Sequence, residues 1–250
     1  MKQHWKILIA FGIFGLLLGV GRAAFEDSFG KLSTVSVIIF TLVVVLGVSF
    51  IQVRPTLKLR KKLFHIIDAF EEGGSLDEYI ENLQTLIDEP KSMFDTSYAN
   101  NQIVLKNNLA VGYMFKGDFY KGKSILSDLN IRRFKGPTRA AYLGNLTYCL
   151  FMTDEKKQAV EIMKNNMDVF KSFYKMPNIG TVINICFIYL MIEEQRFDSL
   201  EFYIKEADDT TVGVYQKEWL EETKDFLYKR GYWSDEEEIG AKTREEEENR

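Results

Sequence analysis

The chain has 250 residues, a formal net charge of −4 and two cysteines. This length allows one membrane segment and one domain of ordinary size that buries its own core without disulfides or metals. The charge is uneven, because residues 1–62 hold nine of the 32 Lys and Arg and two of the 36 Asp and Glu, so they carry +7 and the remainder −11. The acidic remainder argues against general nucleic-acid binding.

Residues 5–21 form the first apolar segment and follow a basic start. Such a segment is typical of a short membrane span, and it also resembles the beginning of a signal peptide. The nearest small-residue cleavage site, Ala23-Ala24, is poorly flanked by Arg22 and Phe25. We therefore favour a retained span, with a cleaved signal as the alternative.

Residues 33–53 form a second apolar segment of about twenty residues, the length that a helix needs to cross a bilayer. The basic segment 54–62 follows at once, and Lys and Arg beside a span are retained on the cytoplasmic side. We therefore predict a hairpin of two spans within residues 1–53, in the cell membrane, with both termini cytoplasmic. Its basic residues act at least as a topological signal, and they are candidates for contact with anionic lipids: Arg54, Lys58, Arg60, Lys61 and Lys62.

From residue 57 the hydrophobic period is helical, and no stretch alternates as a strand would. Glycine and proline signals divide the pattern into pairs of helices followed by one more. The predicted pairs are 57–72 with 76–89, 96–115 with 118–130, 137–152 with 154–173, and 178–194 with 196–207, and the last helix is 212–230. The chain is therefore predicted to be all-α, with a helical domain over residues 57–232.

The segment from Val182 to Ile192 is nearly all apolar and raises the question of a third span. It is about eleven residues long, which is too short to cross a bilayer. Asn184 lies inside it, and Glu193 and Glu194 follow it directly. We predict a buried helix here.

Residues 233–250 are strongly acidic and contain few apolar residues. Such a composition cannot bury enough surface to fold, so we predict a disordered, solvated tail.

The segment Asn108 to Gly122 carries the clearest motif of the chain. Its Leu109-Ala110, Tyr113, Gly117, Phe119 and Gly122 resemble the pattern of a tetratricopeptide repeat. The other pairs match in part, and the equivalent positions are 43, 37 and 41 residues apart, longer than the roughly 34 residues usual in that family. The resemblance implies an α-solenoid of about four helix pairs after the membrane hairpin.

Tetratricopeptide repeats usually bind a peptide in a concave groove lined by the first helix of each pair. Transferring the groove positions of the family to this chain selects Asn107, Val111, Met114, Tyr148, Phe151, Ile185 and Tyr189. This surface would be apolar and aromatic, and it lacks the set of polar and basic residues with which some members clamp a C-terminal carboxylate. The alternative is that several of these side chains are core residues of an irregular array.

The residue types that carry chemistry are sparse. The two histidines, His4 and His65, lie at the membrane start and beside the membrane, so the domain holds no histidine triad or multi-histidine metal site. Cys149 and Cys186 lie inside apolar helical patterns and are predicted to be buried, reduced thiols. There is no glycine-rich phosphate loop. We therefore expect no enzyme activity, no cofactor and no metal.

The sequence favours a membrane-anchored adaptor or scaffold that binds a protein or peptide partner on the cytosolic side. The alternative is an accessory or immunity-type subunit of a membrane transport or secretion complex that acts through its spans. Neither span contains a charged residue between its flanks, which argues against transport by this chain alone.

Overall fold

The computed structural model describes residues 57–90, 98–130, 132 and 134–233. The predictions for both spans, for Arg54 and for the acidic tail beyond Trp233 lie outside these residues. Among the helices of the described ranges, none has the length and apolar character needed to cross a membrane.

The chain divides into two compact units. The smaller unit includes the described residues 57–62, 89–90 and 98–101, and within it Lys62 forms an ion pair with Glu89. The larger unit includes the described residues 63–88 and 102–233, apart from positions 131 and 133, and it contains the whole of the cavity described below.

The described residues contain helices and connecting turns and no strand, which confirms the predicted all-α class for this part of the chain. In chain order the helices are α1 (57–71), α2 (Leu76–Asp88), α3 (Tyr98–Phe115), α4 (Phe119–Ser127), α5 (Gly136–Met152), α6 (Lys156–Asn165), α7 (Met167–Phe173), α8 (Ile179–Glu193), α9 (Leu200–Thr210) and α10 (Val214–Lys229), with a 3₁₀ turn at Phe197–Ser199 before α9. Most of these bounds lie within a few residues of the predicted ones.

One predicted helix was wrong, because the segment 154–173 forms two helices that meet at Asn166. The side-chain amide of Asn166 donates a hydrogen bond to the Ile162 carbonyl at 2.9 Å, and Arg139 donates to its amide oxygen at 2.9 Å. Asparagine side chains compete in this way with the hydrogen bonds of a helix. The break therefore involves a contact with the distant Arg139, which the apolar stripe of this segment did not reveal.

Helices α5 and α8 form the centre of the core. They pack against each other, and most of their side chains are buried on every face. Helix α8 includes Val182–Ile192, so this segment is a buried helix, as predicted. Helix α9 packs on α8, and α4 and α6 pack on α5. A helix that is apolar all round is covered on several sides by its neighbours, and this arrangement supplies that cover.

The turn between α3 and α4 explains the small residues of the repeat-like motif. Gly117 has a φ of 79°, a conformation that favours glycine. A Cβ atom at Gly122 would lie 3.0 Å from Met114 Cγ and 3.3 Å from the Ala110 carbonyl oxygen. A larger residue at position 122 would therefore hold α4 away from α3.

Both cysteines are free and fully buried. The Cys186 thiol donates a hydrogen bond to the Gly144 carbonyl at 3.4 Å. Burial raises the pKa of the Cys149 thiol to about 12. The thiols are therefore protonated core groups near neutral pH.

Candidate functional site

A cavity of about 370 Å³ lies inside the larger unit. Its walls come from the first helix of each pair (α1, α3, α5 and the start of α8), from Tyr79 of α2 and from the first two turns of α10. Pockets of roughly 300–1,000 Å³ are typical of sites for small ligands. The cavity is therefore the candidate binding site of the described residues.

Aromatic side chains form one connected wall of the cavity. Phe70 stacks on Tyr79 and on Tyr215, with ring centroids 4.3 and 4.5 Å apart. Phe115 contacts Tyr215 at 5.0 Å and Trp219 at 4.4 Å. These contacts join rings from α1, α2, α3 and α10, so the wall depends on the position of α10.

Gln216 fixes the start of α10 to the start of α8. Its side-chain nitrogen donates to the Asn178 carbonyl at 2.9 Å, and its side-chain oxygen accepts hydrogen bonds of 3.3 Å from Thr181 Oγ1 and from the Val212 amide. This one side chain thus forms hydrogen bonds with the start of α8 and with the segment before α10. Because Tyr215 and Trp219 flank it along the helix, Gln216 also sets where these two rings lie.

Beyond the cavity, α10 covers the same side of α5 and α8. The Trp219 ring lies 5.1 Å from Tyr148, and Phe226 lies 5.9 Å from Tyr189. Tyr189 in turn stacks on Phe151 at 5.3 Å. We call Tyr148, Phe151 and Tyr189 the covered face, since α10 lies over it.

The structure distributes the predicted groove residues among three environments. Asn107 and Val111 are half-buried and line the cavity. Met114 and Ile185 are completely buried, so at these positions, as at the buried core residues Tyr148 and Phe151, the structure agrees with the core alternative. The remaining three residues form the covered face: Tyr148 and Phe151 are buried, and Tyr189 is half-buried.

A pair of side-chain amides lies between α3 and α5 on the cavity wall. Asn145 donates to the Asn107 oxygen at 3.5 Å, which is long for such a bond. Each asparagine can form up to four hydrogen bonds, and this one contact leaves an oxygen of Asn145 and an amide group of Asn107 available. The pair can therefore donate to and accept from a peptide backbone.

Ionisation of the covered face is suppressed by burial. Burial, followed by the nearby Cys186 and Glu222, raises the pKa of Tyr189 to about 12, although a hydrogen bond with Thr223 opposes this rise. Burial also raises the pKa of Tyr148 well above its usual value. Both phenols are neutral near pH 7, so this surface interacts through contact and hydrogen bonding. Within the described ranges no group of histidine, cysteine and acidic side chains is placed to hold a metal.

The described members of the predicted membrane-surface set lie at the start of α1. Lys58, Arg60 and Lys61 are exposed, and Lys62 is partly exposed and paired with Glu89. Leu57 beside them is 55 % exposed. The structure therefore leaves three of these cations accessible.

Sequence reasoning missed the residues that α10 contributes to the cavity, Tyr215 and Trp219, and their neighbours Phe70 and Phe115. A signal for the first two was present, because Tyr215, Trp219 and Phe226 recur at the spacing of one helix face. That stripe predicts a buried face for the last helix. It does not say which earlier helices that face contacts.

Comparison of the chain with protein-family models, with curated proteins and with solved structures gives no match.

Proposed function

We propose that this chain is a membrane-anchored adaptor. In this proposal a two-span hairpin holds a tetratricopeptide-like helical array at the cytosolic side of the membrane, and the cavity binds a segment of a protein or peptide partner. The observation that carries the binding half is the cavity itself, since it opens between the first helices of successive pairs, where repeats of this kind bind peptides.

The chemistry of the cavity wall supports a peptide as the occupant. Its rings offer contact surface for an anchoring side chain, and aromatic anchors in pockets contribute much of the affinity in protein interfaces. The amides of Asn107 and Asn145 offer hydrogen bonds to the backbone of an extended segment. A binding site for an extended peptide needs both kinds of contact.

The anchoring half rests on the two apolar segments and the basic segment after them. The exposure of Lys58, Arg60 and Lys61, next to the exposed Leu57, supports binding of this segment to an anionic membrane surface. Anchoring restricts the array to a thin layer at the membrane and so raises its effective concentration toward a partner in that layer. This function requires no chemical step.

Site-specific photocrosslinking of the full chain in native membranes tests the binding half. A photoreactive residue at Asn107 or Val214, which line the cavity, should give the same discrete protein adduct, and one at the exposed Tyr120 of α4 should not. The adduct should disappear when Ala141→Leu fills the cavity and persist in Ala69→Leu, an exposed position that does not line it. Equal adducts in both leucine variants would overturn the assignment.

Replacement of residues 1–53 by an unrelated anchor tests whether the spans act only as a tether. An adaptor keeps the Ala141-dependent adduct with the foreign anchor, whereas a subunit that acts through its spans loses it.

Protease added to sealed, right-side-out cells should leave Tyr113 and Trp219 intact, and their digestion would place the array on the opposite side of the membrane.

A further inference from the structure

The charged residues of the cavity wall all have the same sign. Of the twenty lining residues, Glu71 and Glu218 carry a charge, and no Lys, Arg or His is among them. Both are exposed, Glu71 at the end of α1 and Glu218 on α10, so they lie where solvent reaches the wall. The charges that the cavity wall itself carries are therefore negative.

Several other carboxylates of the described residues form ion pairs. Glu193 is paired with Lys156, Glu194 with Lys164, and Glu155 with Lys123. Within the part of the chain that the structure describes, neither Glu71 nor Glu218 has a cation within ion-pair distance. Burial raises the pKa of the Tyr79 hydroxyl, and the negative charge of Glu71 raises it further. The Glu71 carboxylate therefore interacts electrostatically with this ring of the wall.

The rings and the carboxylates together favour one kind of group. The faces of aromatic rings attract cations, and the attraction grows as water is removed from the contact. An apolar stem packs against the same rings while its charged head stays near solvent, as Lys and Arg stems do on protein surfaces. An anionic group would meet two carboxylates and no cation, so the wall disfavours it.

We propose that the cavity receives the side chain of a Lys or Arg residue from the bound peptide, with its stem along the wall formed by Phe115 and Trp219 and its cation between Glu71 and Glu218. This inference rests on the proposed function and narrows it to a basic peptide. A peptide is favoured over a free amine because the cavity, at about 370 Å³, exceeds one side chain and because Asn107 and Asn145 match a backbone.

The test uses the full chain in detergent micelles, with Trp5→Phe and Trp233→Phe so that Trp219 is the remaining tryptophan. Capped alanine pentapeptides with a central Lys, Arg, norleucine or Glu are titrated while Trp219 fluorescence is followed. We expect saturable changes with the Lys and Arg peptides, about tenfold weaker binding of the norleucine peptide, and weakening by added salt.

Variants then test whether the two carboxylates cause the preference for a basic peptide. Glu71→Gln combined with Glu218→Gln should weaken the Lys peptide about tenfold and leave the norleucine peptide unchanged. The matched control combines Glu161→Gln with Glu201→Gln, which removes the same charge from exposed positions outside the cavity and should leave both peptides unchanged. Equal effects of the two double variants would overturn the proposal, because they would reflect net charge alone.

Other outcomes of the titration distinguish a failure of this inference from a failure of the proposed adaptor function. If the norleucine peptide binds as tightly as the Lys peptide, the preference for a cation is wrong while peptide binding stands. If free n-butylammonium binds as tightly as the Lys peptide, the site takes a small cation and the peptide source is wrong. If no peptide gives a saturable change, the inference fails, and the Ala141-dependent crosslink decides separately whether the adaptor function fails with it.

Discussion

The side of the helical domain that meets α10 has two regions, one covered and one open. The covered face, on α5 and α8, is closed by Trp219 and Phe226. The cavity, bordered by α1 and α3, stays open although Tyr215 of the same helix reaches it. Aromatic surface is thus covered by α10 in one region and left accessible in the other. Helix α10 therefore decides how much of this side is accessible from solvent.

The largest expected effect on stability comes from removing the side chain that lies between the two regions. Trp219→Ala removes a buried ring that touches Phe115 and Tyr148, and it should lower the free energy of unfolding by about 3–5 kcal/mol. Urea unfolding of the full chain in micelles, followed by circular dichroism, measures the loss. Tyr120→Ala is the control, since that ring is 69 % exposed and its loss should cost about 0.5 kcal/mol or less. Similar losses in both variants would contradict the role of Trp219.

A smaller effect is expected where α8 begins, because α10 is fixed there. A Cβ atom at Gly180 would lie 2.4 Å from the Tyr174 carbonyl oxygen and 2.7 Å from Thr210 Cγ2. Gly180→Ala should therefore cost roughly 1–3 kcal/mol by overpacking. Gly213→Ala is the matched control, since a Cβ atom there meets nothing within 4 Å, and its effect on the urea midpoint should be close to zero. A tolerated alanine at position 180 would show that α8 can shift at this end.

The glutamine that holds α10 in place should contribute less. Gln216→Ala removes its hydrogen bonds to Asn178, Thr181 and Val212, and it should cost about 1–2 kcal/mol. Amide hydrogen exchange should accelerate in the first turns of α10 and stay unchanged in α5. Gln158→Ala, at an exposed position of α6, should alter neither. Unchanged exchange in α10 would mean that ring contacts alone hold this helix.

The smallest effect is expected on the outer surface, away from both regions. Lys164 forms an ion pair with Glu194 at 2.9 Å, and this hydrogen bond is the main reason that the pKa of Glu194 is lowered. Lys164→Met should cost about 0.2–1 kcal/mol at neutral pH. A carboxylate with a lowered pKa stabilises the fold fully above its unfolded pKa, so the cost should shrink as the pH falls below that value and vanish once the pH passes below the lowered pKa of Glu194 in the folded state. Lys157→Met in the same helix should show no such pH dependence.

The helical pattern was accessible to sequence reasoning because each helix has its own local signals. Proline in the first turn of α5 and the glycine turn after α3 both lie where the pattern places them. The break at Asn166 escaped because its cause is a hydrogen bond from Arg139, which is distant along the chain. Local signals therefore predicted which segments are helical better than where they are interrupted.

The candidate site was harder to predict than the helices. Asn107 and Val111 were selected through the family resemblance, and they line the cavity, whereas Met114 and Ile185 from the same selection are core. One helix turn separates a wall position from a buried one, and the hydrophobic period does not resolve that difference in helices such as α8, which are apolar all round. The packing of α10 depends on contacts between distant segments, which no local pattern specifies.

The position of α10 along the chain also has a consequence for biosynthesis. Phe70, Phe115 and Tyr148 leave the ribosome before Tyr215 and Trp219, the side chains that later cover them. Until the segment 214–229 has emerged, the nascent chain displays aromatic surface of the kind that chaperones and quality-control proteases bind. Chains truncated before residue 214 should therefore keep this aromatic surface exposed.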